Sequence, residues 1–340
     1  MKKVVLLLLI SCFLESRAQD PNFSQFFVSP LTLNPALTGK FNGNLRVAGN
    51  YRNQWPAFTR AFITSSLSVD FPIMTGRLAE TDTWGVGIMA MTDKTADGIL
   101  TANYISITTA YHKGLDEDGL HQLGVGFQGT YGGRRLDGTR LDFEDELDLQ
   151  GTWTNTSDEP INNKQINVNY FDFSAGLLYN GSTDGYNNFY AGVSVYHVNR
   201  PKESFSGDAG RYVLNPRITA NIGGSLPVGT DKYLHLSGML STQAKALNIV
   251  VGGALAFNVN GDETNPTNLF VGAFTRFSNL NDAIIPHVGL EFGAFRLAAS
   301  YDVNISSLKV GSQRQGGIEL ALIYTLYPPD GRPKIPCPIY

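Results

Sequence analysis

Five histidines, His112, His121, His197, His235 and His287, are the groups in this 340-residue chain best suited to moving protons near neutral pH. A nucleophilic enzyme would need one of them beside a serine, threonine or cysteine, with a carboxylate to orient it. None sits in a recognisable Ser/His/Asp motif, and none has metal-ligand spacing. The densest carboxylate run is Asp142-Phe143-Glu144-Asp145-Glu146-Leu147-Asp148, whose oxygens would suit a hard cation such as calcium. It lacks the glycine turn and terminal glutamate of an EF-hand loop, so a solvated acidic loop is expected. Gly124-x-Gly126 precedes no helix and reads as strand glycine rather than a phosphate loop. The expectation is a protein with no enzymatic activity, no cofactor and no metal.

A second set of charges has a different character. Arg46, Arg60, Asp70, Asp172, Arg217, Glu291, Arg296, Asp302 and Glu319 stand singly among small and apolar residues. Singly placed charges of both signs suit an enclosed space where they can pair, so the elements that carry them decide their meaning. Those elements have a two-residue period. Phe295, Leu297, Ala299, Tyr301 and Val303 fall on one face, and Arg296, Ala298, Ser300, Asp302 and Asn304 on the other. Ile318 to Leu326 and Phe171 to Tyr179 alternate likewise.

About fourteen such strands are expected, near 43–52, 59–71, 83–93, 99–113, 120–131, 168–180, 187–198, 212–226, 231–242, 246–259, 267–277, 285–293, 295–304 and 314–327. A sandwich would set a Lys- and Glu-rich face in water. Here the polar faces carry Gly, Ser, Thr and Ala with scattered charge, and the apolar faces carry almost none. Charge makes up only 16% of the chain, against 36 Gly, 20 Phe and 15 Tyr. That balance fits lipid outside and a crowded lumen inside, since a mid-bilayer Arg or Lys costs about 2–4 kcal/mol. Tyr51, Phe71, Trp84, Tyr111, Tyr131, Tyr179 and Tyr327 stand near strand ends, where interfacial aromatic girdles form. The fold class is therefore all-β: a transmembrane antiparallel β-barrel. Its longest connection, about 132–167, is expected outside the cell, with both chain ends in the periplasm.

The two ends read differently. Residues 1–18 have a basic start, a short apolar run from Val4 and the small residues Ser16-x-Ala18, as a cleaved signal peptide does. A lipoprotein-type cleavage before Cys12 is the rival reading. Cleavage after Ala18 leaves Cys337 as the single cysteine, so no intrachain disulfide holds the mature chain. Residues 19–42 form an irregular apolar segment, 43–327 the barrel, and 328–340 a proline-rich periplasmic tail. No basic stripe suggests nucleic acid, at a net charge of −4.

The stretch from Asp20 to Trp55 resembles the N-terminal signature of the PorP/SprF family of type IX secretion. The matching residues are Asp20-Pro21, Phe23-Ser24-Gln25-Phe26, Pro30, Leu33-Asn34-Pro35-Ala36, Gly39 and Tyr51-Arg52-Asn53-Gln54-Trp55. The similarity returns at Gly316-Gly317-Ile318-Glu319-Leu320 and Ile335-Pro336-Cys337-Pro338. The resemblance implies a non-enzymatic outer-membrane barrel of Bacteroidota serving secretion or gliding motility. It also implies a cargo protein with a C-terminal sorting domain and further periplasmic or outer-membrane secretion components as partners. A transporter for hydrophobic or small solutes is the alternative.

Two site expectations come from the residues themselves. Tyr51, Arg52, Asn53, Gln54 and Trp55, with Trp153 in the long loop, would offer a partner an aromatic and cationic anchor. Leu33 to Gly39 reads as one capped turn, with Asn34 as N-cap, Pro35 first and Gly39 as left-handed stop. Phe23, Phe26, Phe27, Leu33, Asn34 and Pro35 would then plug the periplasmic half of the lumen against Arg46, Arg296, Asp302 and Glu319.

Overall fold

The computed structural model describes residues 20–55, 62–148, 150–205, 213–229, 232–261, 266–278, 282–306 and 315–327. The expected signal peptide at 1–18, Cys12, Arg60, the 328–340 tail and Cys337 lie outside them. Fourteen strands follow one another: β1 Leu45–Gln54, β2 Phe62–Ile73, β3 Thr83–Thr95, β4 Leu100–Gly114, β5 His121–Asp137, β6 Gln165–Gly181 and β7 Asn188–Tyr196. The second half holds β8 Arg217–Pro227, β9 Lys232–Gln243, β10 Ala246–Asn258, β11 Thr267–Ser278, β12 Ala283–Phe292, β13 Phe295–Asn304 and β14 Gln315–Leu326.

Each strand pairs antiparallel with its sequence neighbours, and β14 returns to β1, from Leu45↔Leu326 to Gln54↔Gly317. Closure matters physically, because a bilayer offers no hydrogen-bond partner to an exposed strand edge. No helix among the described residues is long and apolar enough to cross a membrane. The alternating faces sort as the period requires. Ile105, Ile107, Phe127, Phe171, Phe173 and Ile222 point outward and are exposed, while Arg46, Asp70, Asp172, Arg217, Asp302 and Glu319 are buried inside.

One rim, here the near rim, carries the start of β1, the end of β14 and the tight β12–β13 turn. The far rim carries the connection 138–164 between β5 and β6. Two strands run further toward the far rim than alternation indicated. β5 continues through Gly132-Gly133-Arg134-Arg135 to Asp137, and β6 begins at Gln165, because β4 and β6 supply an unbroken ladder there. β1 likewise runs through Gln54, so Tyr51 to Gln54 are strand residues rather than hairpin loop.

The ring is not hollow. Residues 20–40 lie inside it and share its core. Phe26, Leu33, Ala36 and Leu37 pack with Leu178, Met239, Val250, Phe274 and Ile285 from the wall. Val28 packs with Ala48, Ala298, Ala321 and Ile323 from β1, β13 and β14.

Candidate functional site

The inner segment is built from short turns, as its prolines dictate. Pro30 opens a one-turn helix, Pro30–Leu33. Asn34 then has extended backbone, and its side chain accepts from the Ala36 amide at 2.9 Å, capping a 3-10 turn at Pro35–Leu37. Gly39 follows at φ +71°. The remaining atoms of the cap tie the turn to the wall. Asn34 Nδ2 donates to the Leu177 carbonyl at 3.1 Å and to Asn221 Oδ1 at 3.3 Å.

This close seating depends on bare backbone in the wall. A Cβ on Gly176 would stand 1.9 Å from Asn34 Oδ1, one on Gly126 2.4 Å from the Ala36 nitrogen, and one on Gly85 2.4 Å from the Thr38 carbonyl oxygen. Near the same rim, Arg46 makes a two-pronged pair with Asp70, at 3.0 and 2.8 Å, and donates to the Leu37 carbonyl. Asp70 also accepts from the Gly39 amide at 2.8 Å.

Further along the segment, two carboxylates and two guanidinium groups surround Ser24. Glu319 accepts the backbone amides of Ser24 and Gln25, at 2.6 and 2.8 Å. Arg52 reaches Glu319 at 2.5 Å and Asp302 at 3.1 Å, and Arg276 lies 2.8 Å from Asp302. The Ser24 hydroxyl donates to Asp302 and accepts from Arg52 and Arg276. All four charged side chains are buried. Equal numbers of each sign, each hydrogen-bonded, make such burial tolerable.

The start of the described chain reaches the far rim. The Asp20 amide donates to Gln243 at 2.8 Å, and its carboxylate lies 2.7 Å from His197 Nε2 and 3.4 Å from Arg217. The other ring nitrogen of His197 lies 3.0 Å from Asp172. His197 sits in the loop just beyond β7. Burial alone would lower its pKa, but hydrogen bonds and charge from Asp172 and Asp20 hold it up to about 9. A segment confined to the periplasmic half was expected; this one extends from the near rim to the far rim. The reason is a set of partners on the far halves of the strands: Gln243 of β9 and Glu319 of β14 accept its amides, and Arg52 of β1 and Arg217 of β8 donate to its carbonyls.

The expected site residues separate. Phe23 and Phe26 are buried, and Phe27 stacks on Phe274 with centroids 4.9 Å apart. Arg296 pairs with Glu291 across β12 and β13 and lies over the Phe270 ring, so its ion partner is the wall, not the segment. Tyr51 faces outward, whereas Arg52 is turned into the lumen with 3% exposure. Residues 51–54 therefore cannot present one outer patch: strand alternation sends neighbours to opposite faces. Asn53 and Gln54 are half-buried, and Trp55 rests edge-on against Phe62. Trp153 is exposed in the far-rim loop.

In that loop the acidic run caps its own turns. Asp148 accepts from Thr152 and Thr154 hydroxyls and from the amides of Gln150 and Thr152, which hold its carboxyl down to about 2. Asp145 accepts from Ser157 and the Asp158 amide. No cluster suited to a metal ion occurs among the described residues. Arg276, Ser24 and the Asp20–His197 pair were missed by sequence reasoning. Parity along β11 would have placed Arg276 inside, but that strand alternates poorly.

A closed barrel with a lipid-facing apolar belt and a polar, occupied lumen defines an outer-membrane β-barrel protein. The chain belongs to the family described as "Type IX secretion system membrane protein PorP/SprF", whose model matches residues 15–324. Among solved structures, the toluene transporter TbuX of Ralstonia pickettii is similar at TM-score 0.50 and 10% identity, over 88% of this chain and 94% of that one. A FadL homologue of Pseudomonas aeruginosa matches at TM-score 0.46 and 10% identity, over 86% and 93%. At such identities the likeness is one of fold. No curated protein matches the chain.

Proposed function

We propose that this barrel, an outer-membrane component associated with type IX secretion, works without catalysis by engaging an exported cargo protein at its far rim. The partner would carry the C-terminal sorting domain of this pathway, and periplasmic or outer-membrane secretion components would complete the assembly. The far rim faces the cell exterior in this reading, since long outer loops and short periplasmic turns are the usual arrangement. The observation that carries it is the lumen segment, hydrogen-bonded from Lys40 at the near rim to Asp20 at the far rim. A barrel filled along its length gives solutes no ready path and leaves its outer loops as the working surface.

Transport of hydrophobic or small solutes is the second reading, and one feature favours it. A small apolar cavity of about 50 Å³ lies beside Phe27 and Val28, lined by Tyr190, His235, Phe270 and His287. Its lining comes from the near halves of β7 to β13, and the charged cluster around Ser24 lies beyond it, on the far-rim side. A transport route would need a way past that cluster. Affinity purification from native membranes, with mass spectrometry, tests the docking reading. Recovery of an exported sorting-domain protein is expected; recovery of neither such a protein nor a secretion component would overturn it.

A further inference from the structure

Every strand of the ring has two neighbours, yet one is paired for only part of its length. β6 is bonded to β5 along all seventeen residues, from His121↔Gly181 to Asp137↔Gln165. On its other side the ladder to β7 ends at Ala175↔Val195. His197, at φ +57°, then turns the chain away. A short patch replaces the next rung. The Val198 amide donates to the Phe173 carbonyl at 3.0 Å, and the Asn199 side chain bonds the Phe173 amide and the Phe171 carbonyl. Beyond this patch, Lys202 is bridged to Val213, Glu203 pairs with Arg134, and Leu214 packs against Tyr104 and Tyr170. Among the described residues, none pairs with the backbone of Gln165, Asn167 or Asn169 on that side.

The geometry of this edge is readable from its neighbours. Backbone groups alternate sides along a strand, and those of Phe173 and Phe171 point toward β7. The same parity aims the amides and carbonyls of Gln165, Asn167 and Asn169 at the opening. Their side chains are exposed, whereas Ile166 and Val168 are half-buried and Tyr170 is buried on the inner face. Phe171 and Tyr131, ring centroids 5.2 Å apart, form an outward aromatic pair immediately below. Such a pair marks the membrane interface, so residues 165–170 stand beyond the lipid. Their polar outward side chains agree with that level.

We propose that the free edge of β6 over residues 165–170 is a strand-addition site that captures an extended segment of an exported partner protein. The assignment rests on the docking reading above and gives it a mechanism. A row of unpaired amides and carbonyls is complementary to extended polypeptide backbone and to little else. The aromatic pair beneath the edge sets it beyond the lipid, and the docking reading, in which the far rim faces the exterior, places the occupant outside the cell. The polar Gln165, Asn167 and Asn169 side chains leave selectivity to backbone extension rather than to an apolar pocket. An alternative occupant, a second copy of this chain through the same edge, is an outcome the test separates.

The test uses Asn167→Pro in the full chain in native membranes. Proline removes the outward amide and its ring blocks strand addition, while the ladder to β5 loses no donor. Asn167→Ala is the control, and heat-dependent mobility in detergent reports the folded barrel. The partner recovered with Asn167→Pro is expected to fall about tenfold or more relative to Asn167→Ala, the effect of losing one net hydrogen bond and its neighbours' geometry. A photo-cross-linking amino acid at positions 165, 167 and 169 is expected to label alternate residues of one extended segment in one exported protein. Equal recovery with both variants would overturn the proposal while leaving the docking reading standing. Cross-links only to a second copy of this chain, or only to lipid, would overturn it as well. Absence of any exported protein from the wild-type preparation is the result that sinks the docking reading itself.

Discussion

Arg52 holds the centre of the lumen network, and its loss has a calculable consequence. Arg52→Ala leaves Asp302 and Glu319 with one buried guanidinium between them, Arg276. Breaking a buried ion cluster by removing one partner costs about 3–5 kcal/mol. The cost is expected at the segment rather than the ladder, because Glu319 also accepts the amides of Ser24 and Gln25. Limited proteolysis of the detergent-purified barrel should show cleavage within residues 20–30 in this variant and none in the wild type. His197 adds a pH dependence at the far end of the segment. Its folded-state pKa of about 9 lies above the ordinary imidazole value, so its contact with Asp20 contributes fully below about pH 6.5. That contribution fades as pH rises through about 9. Protease access near Asp20 should therefore increase between pH 8 and pH 10, and His197→Gln should remove that dependence.

Among the elements, the strands were legible from residue order and the inner turns only in part. β13 occupies 295–304 as alternation indicated, since one face is apolar and the other carries Arg296, Ser300 and Asp302. The far extensions of β5 and β6 were hidden because Gly132-Gly133-Arg134-Arg135 carry no alternation, and partner strands alone make them β. The capped turn at Asn34-Pro35 was legible because a cap is a local device. The height of the inner segment was not. Ser24 meets Glu319 across 295 positions, a contact that exists only once the ring has closed. The glycines show the same division: their abundance was plain, their purpose was not. Gly176→Ala brings a methyl group to 1.9 Å from Asn34 Oδ1 and must displace the 34–37 turn. Gly129→Ala meets nothing nearer than Phe173 at 3.9 Å. An overpacked core site costs about 1–3 kcal/mol. Urea unfolding in detergent should resolve that loss for Gly176→Ala and give a value near wild type for Gly129→Ala.

For the whole molecule, the ring is expected to be stable apart from its contents. The wall is held by a continuous ladder in which residues 20–39 take no part. The lumen charges left behind by removing them are balanced: Arg46 faces Asp70, and Arg52 and Arg276 face Asp302 and Glu319. Water entering the emptied space would solvate these groups and relieve the burial cost. A chain lacking residues 20–39 but keeping residues 1–19 should therefore still close, and should still migrate as a folded barrel in unheated detergent gels. In planar bilayers the full chain is expected to show no resolved channel steps, and the shortened chain discrete ones. Selectivity between small cations and anions should be weak, because the inward charges nearly cancel. If the two conductances are the same, the inner segment does not seal the barrel. The working surface would then have to be sought in the lumen as much as at the far rim.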